Sequence, residues 1–180
     1  MRTILSTIAV TLWGFKGLEE LLNIHPVFVH FPIALFLTSI AFYLLGGILK
    51  REDWLHVGKW LLFVGTLSTL FTAWTGLQAA RTVSHGGETH TILMLHQYLG
   101  LAILGLSVAL SVWVGIAREN LPRKGKTVFF AMLVLLGLLV VQTADLGGRM
   151  VFLNGVGVGR KSMLQELLSH GEYAHHDHSH

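Results

Sequence analysis

The sequence predicts an all-α, polytopic membrane protein: a four-helix bundle with an extra N-terminal apolar or amphipathic helix and a short C-terminal helix. Three observations carry this prediction. Hydrophobic residues make up 52% of the chain and charged residues only 13%, about half the charged fraction of an ordinary soluble domain. Mean hydropathy is +0.60. Four apolar runs, each of roughly the 20 residues that cross a bilayer, alternate with short polar segments. At 180 residues the chain suits one compact membrane unit. We divide it into 1–23, an anchor or interfacial helix; 24–158, the four-span domain; and 159–180, a short helix and tail.

Composition also excludes several kinds of chemistry. With no cysteine, disulfides, thiolate metal sites and covalent haem attachment through Cys-x-x-Cys-His are ruled out. The net charge of +3 is small, and no basic run alternates with aromatics, so nucleic-acid binding has no support. Neither His-Glu-x-x-His nor a serine or threonine with an evident base is present, which leaves hydrolysis without a nucleophile. Eleven histidines against ten acidic residues is the unusual count.

Residues Thr3 to Phe15 form an apolar run behind Arg2, short for a span and without a small-x-small cleavage site after it. An uncleaved anchor and a helix lying partly in the interface both fit. Residues 16–23 continue as an amphipathic turn or two. Span one follows, with Pro26 and Pro32 marking its start, because proline is tolerated in a first turn where its missing N–H has no partner to lose. It runs from Phe31 to Leu49 and ends in Gly46-Gly47 and Lys50-Arg51-Glu52-Asp53.

Span two extends from Val57 to Ala80. Its Gly65, Thr69, Thr72 and Gly76 share one helical face, a small-residue surface that admits a close neighbour. The loop 81–91 holds His85 and His90. Span three begins near Ile92, carries His96 in its first turns and ends near Ala117, with Ser107, Ser111 and Gly115 as a matching small face. A basic loop, 118–126, leads to span four, Thr127 to Ala144, which closes on Gln142, Asp145, Gly147-Gly148 and Arg149. A glycine-rich segment from Asn154 to Gly159 lacks the strand–turn–helix setting of a nucleotide loop. A short amphipathic helix, Ser162–Ser169, and a histidine tail complete the chain.

The loops after spans one and three carry Lys50, Arg51, Lys59, Arg118, Arg123, Lys124 and Lys126. By the positive-inside rule this end is cytoplasmic and the opposite end faces the periplasm of a bacterial inner membrane. Of the eleven histidines only His56 is then cytoplasmic. Gln78, Arg81, Asp145, Arg149 and Asn154 join the others at the outer mouth.

Histidine without cysteine suits haem iron or ions such as copper, zinc and nickel. Bis-histidine haem ligation needs imidazoles from different helices at one depth. His30 opens span one and His96 opens span three, so they form the first candidate pair for haem b. His25 and His90, five and six residues further out, form the alternate pair. Histidines at span ends also act as caps or interfacial residues. His85 and the tail, His175, His176, His178 and His180, offer further metal donors, or a chain end that binds metal adventitiously. Asp145 and Arg149, four residues apart, fit either an ion pair or a proton relay.

His25-Pro26, His30-Phe31-Pro32-Ile33-Ala34-Leu35, Thr75-Gly76-Leu77, His96 and Gly147-Gly148-Arg149-Met150-Val151-Phe152 leading to Gly155-Val156-Gly157-Val158 resemble the bacterial membrane proteins of domain-of-unknown-function family 2231. The resemblance covers residues 24–158. It implies a four-helix membrane module, found alone or beside cytochrome-like domains, and hence redox work with b-type haem. It also implies a histidine where Asn154 stands, so a ligand role here falls to His25, His30, His90 or His96. The sequence reading is therefore an electron-transfer subunit, not a stand-alone enzyme, exchanging electrons with quinone or a redox partner subunit. Metal handling and a cofactor-free scaffold are the alternatives.

Overall fold

A computed structural model describes residues 24–82, 88–122 and 124–153. The N-terminal run 1–23, His85, Asn154, the C-terminal helix and the histidine tail lie outside the described residues. Within them every element is helical: α1 (His25–Phe28), α2 (His30–Leu49), α3 (Glu52–Thr82), α4 (Glu88–Ala117) and α5 (Lys126–Phe152). Four segments, His25–Leu49, Glu52–Arg81, Thr89–Ala117 and Lys126–Phe152, are long and apolar enough to cross a membrane. The protein is a multi-pass membrane protein.

The helices pack as a ring, α2 on α3, α3 on α4, α4 on α5 and α5 on α2, so α2 and α4 stand on a diagonal. Antiparallel neighbours joined by short loops give this up-and-down arrangement. Two ends result. A basic end gathers the C-termini of α2 and α4 with the N-termini of α3 and α5. A histidine end gathers α1, the last turns of α3 and α5, and the first turns of α4.

The bundle is apolar on both sides. Phe36, Tyr43, Leu62, Leu110, Phe129 and Leu133 fill its axis, while Leu67, Phe71, Trp74, Ile116 and Leu138 face outward. Lipid tails are as apolar as leucine, so close packing and interhelical hydrogen bonds, rather than hydrophobic exclusion, hold such helices together. The expected small face of span two does this for α3. A Cβ on Gly65 would lie 2.8 Å from Phe36 Cε1, and one on Gly58 3.0 Å from Tyr43. Ser39 donates to the Gly58 carbonyl at 2.7 Å. On the other side of α3, Thr66 Oγ1 meets Ser111 Oγ at 2.9 Å, joining α3 to α4. Gly115, expected on the same small face, has nothing near it.

Span one is one helical segment, His25–Leu49, with a single interruption at Val29, which keeps helical dihedrals. Pro32 has no N–H to give the Phe28 carbonyl, so one rung of the helical ladder is missing there. Val29 forms the turn between α1 and α2. The freed carbonyl of Phe28 lies 3.3 Å from Thr72 Oγ1 of α3, whose one proton it shares with the Ser68 carbonyl at 3.0 Å.

Span four departs from its expected end. Asp145 and the glycine pair read as a stop after Ala144, yet α5 continues to Phe152. A glycine in a helix interior costs only about 1 kcal/mol. Against this, Leu146 and Met150 are buried, and Gly147 gives His96 room. Tertiary packing outweighs the local signal.

Candidate functional site

Thirty residues of α4 and 31 of α3 reach about 45 Å at 1.5 Å per residue, well beyond the hydrocarbon core of about 30 Å. Span one begins lower. His25 is its first helical residue, whereas His96 is eight residues into α4, or about 12 Å below that helix's start. The offset brings these two rings to one level, with ring centres 6.3 Å apart and planes at 88°. They approach across the diagonal of the bundle, both partly buried.

The two helices between them hold the rings in place. His96 Nδ1–H donates to the Thr143 carbonyl of α5 at 3.0 Å, since a carbonyl only accepts. On the other side, the Thr75 hydroxyl of α3 donates its proton to the Thr72 carbonyl at 3.0 Å. Thr75 Oγ1 is then the acceptor for His25 Nδ1–H, 3.2 Å away. His96 in its neutral form therefore carries its proton on Nδ1 and leaves the Nε2 lone pair unprotonated, and His25 does the same where Thr75 keeps its proton on the Thr72 carbonyl. A hydrogen bond at one ring nitrogen that fixes tautomer and orientation is the usual support of an imidazole ligand.

Glycine makes the arrangement possible. A Cβ on Gly76 would stand 2.9 Å from His25 Cε1, and one on Gly147 3.4 Å from His96 Cε1. Any side chain at 76 would displace the ring. Thr143 Oγ1 adds an orphan: it is buried without a hydrogen-bond partner, on the residue whose carbonyl receives His96.

The structure pairs the candidate histidines differently from their depth in sequence. His25 and His96 meet; His30 and His90 are exposed. Five residues turn a helix by about 140°, and six by about 240°, so neither His25 with His30 nor His90 with His96 shares a face. The expected pairing of His30 with His96 is thus replaced by His25 with His96. Gln78, Arg81, Asp145 and Arg149 sit exposed on the surrounding rim. Asp145 and Arg149 do not form the ion pair that is one of their two readings; an ion pair does join Arg51 and Asp53 at the basic end. Sequence reasoning named Thr75 only within the family resemblance, with no role beside a histidine, and overlooked Thr143. Thr75-Gly76 and Thr143 with Gly147 carry a weak signal, a hydroxyl residue beside a gap, but nothing local says which histidine it serves.

Fold and site together define a class: a multi-pass, four-span helical membrane protein with a preorganised histidine pair inside one end. Within that class the chain belongs to the family of predicted membrane proteins designated DUF2231, whose model matches residues 21–160. No curated protein and no solved structure matches it.

Proposed function

We propose that this protein is an electron-transfer subunit of the bacterial inner membrane, binding one haem b through His25 and His96 near the periplasmic face. The observation that carries the reading is the His25–His96 pair itself. With ring centres 6.3 Å apart, His25 and His96 would hold the iron between them, each through one imidazole nitrogen.

The donor set fits haem better than a bare ion. Among the described residues no group of three or more His, Asp or Glu side chains is placed to hold a metal. Tetrahedral zinc takes three or four protein ligands, whereas haem iron takes four nitrogens from the porphyrin and asks the protein for two. Gly76 and Gly147 keep the flanking helices free of side chains beside the rings, and the orphan Thr143 hydroxyl offers a polar contact. Haem so held supplies a one-electron couple. The protein's own part would be to orient the two imidazoles through Thr75 and Thr143 and to present the site to quinone or a partner subunit. Orientation rests on the basic end, whose lysines and arginines favour the cytoplasm.

Absorbance of the purified full-length protein, with and without dithionite, tests the reading. A Soret band with reducible α and β bands, lost in both His25→Ala and His96→Ala, is expected. Full haem retention by both variants overturns it. Bound copper without a Soret band would instead favour metal handling by the same pair, since imidazole also suits copper.

A further inference from the structure

The basic end carries a cavity of about 450 Å³ that the histidine site does not involve. Lys50, Arg118 and Lys126 line it together with Glu52, Glu119 and Asn120, three cations against two carboxylates. Glu52 Oε2 is engaged, accepting from Asn120 Nδ2 at 3.3 Å. The cations come from three different helix ends, so the chain's fold, rather than a local basic run, brings them together.

A second feature lies on the same pair of helices. The α2–α5 contact is the least extensive of the four, and an apolar crevice opens there. Leu37, Ile40 and Leu44 of α2 form one wall, and Val134, Leu138 and Val141 of α5 the other. Cavity and crevice share one track. Along α5, Lys126, Phe130, Val134 and Leu138 follow at four-residue steps, and along α2, Gly47, Leu44, Ile40 and Leu37 follow at three or four, so neighbours in each set lie side by side; Lys50 caps α2 in a left-handed conformation and lines the cavity beyond it. Phe130 joins the two parts: the Lys126 ammonium lies 5.9 Å from its ring centre, and its Cζ lies 3.0 Å from where a Cβ on Gly47 would stand.

We infer that this track is a binding site for one anionic phospholipid, with the phosphodiester among Lys50, Arg118 and Lys126 and an acyl chain in the α2–α5 crevice. A cationic pocket at a membrane surface suits a lipid phosphate, and a crevice walled by apolar side chains suits only the chain attached to it. A free oxyanion would use the first feature and leave the second unexplained.

The test is native mass spectrometry of the full-length protein in mild detergent, with dioleoylphosphatidylglycerol and dioleoylphosphatidylcholine as probes. One phosphatidylglycerol is expected to be retained with a preference of about ten-fold over phosphatidylcholine. The triple variant Lys50→Gln, Arg118→Gln, Lys126→Gln removes that preference. Lys124→Gln, an exposed cation of the same loop outside the cavity, keeps it. Leu138→Trp, which fills the crevice from its exposed side, lowers retention several-fold. Excess inorganic phosphate leaves the lipid bound. Equal retention of the two lipids, loss of preference in Lys124→Gln to the same degree, unchanged retention in the triple variant or in Leu138→Trp, or displacement by phosphate each overturns the proposal.

Discussion

The Thr72 hydroxyl lies 3.3 Å from the carbonyl oxygen of Phe28, the acceptor that Pro32 leaves without its helical partner, and shares its one proton between that oxygen and the Ser68 carbonyl of its own helix at 3.0 Å. One residue on span two thus compensates a defect that a proline writes into span one. It does so one turn from Thr75, which supports His25. The interruption in span one, the repair of its backbone and the support of the histidine are parts of one α1–α3 contact.

Thr72→Val should therefore destabilise the protein by about 1 kcal/mol, the usual range for a hydrogen bond between membrane helices. Thr72→Ser, which keeps the hydroxyl, should recover most of the loss. Unfolding in a mixed-micelle titration measures both. Equal stability of Thr72→Val and wild type would mean that the Phe28 carbonyl is satisfied otherwise.

Thr75→Val removes the acceptor for His25 Nδ1–H while leaving both imidazoles present. Loss of such an orienting partner typically weakens metal binding 10–100-fold, and haem titration of the apoprotein should show a loss of about that size. Unaltered affinity would indicate that the ring needs no support from Thr75.

His30→Ala and His90→Ala serve as the contrast. Both side chains are exposed, unlike the partly buried ring pair, so the haem spectrum should be unchanged in either. Loss of the Soret band in His30→Ala would return the ligand role to the residue that sequence depth favours.

Two glycines in span segments should respond oppositely to alanine. At Gly65 a Cβ meets Phe36 at 2.8 Å, and displacing a fully buried ring should cost about 1–3 kcal/mol. At Gly105 nothing lies within 4 Å, and alanine should be neutral or stabilise α4 by about 0.5–1 kcal/mol. Thermal or detergent unfolding of the two variants, compared side by side, decides it; similar effects would contradict the packing described.

Much of this was legible from residue order. Spans one to three contain the apolar runs that predict them, but each helix starts four to six residues before its run, span one at His25 rather than Phe31; the small face around Gly65, Thr72 and Gly76 meets span one. These are local properties: a run of 20 apolar side chains, or small residues repeating every three or four positions, needs no partner to be recognised. The end of span four was not legible, because Gly147-Gly148 reads as a stop unless Leu146 and Met150 are known to be buried.

The amino-acid order by itself determined the membrane class, the four spans, the absence of thiolate chemistry and the placing of His25, His30, His90 and His96 at the end opposite the basic loops. Only the tertiary structure decided that His25, not His30, meets His96. Counting outward from a predicted span start assumes that all spans begin at one level. Span one begins about 12 Å below the start of α4, and that offset is set by contacts between residues 50 or more positions apart, such as His25 with Thr75. Which rings share a depth is a property of how helices slide past one another, and no single helix encodes it.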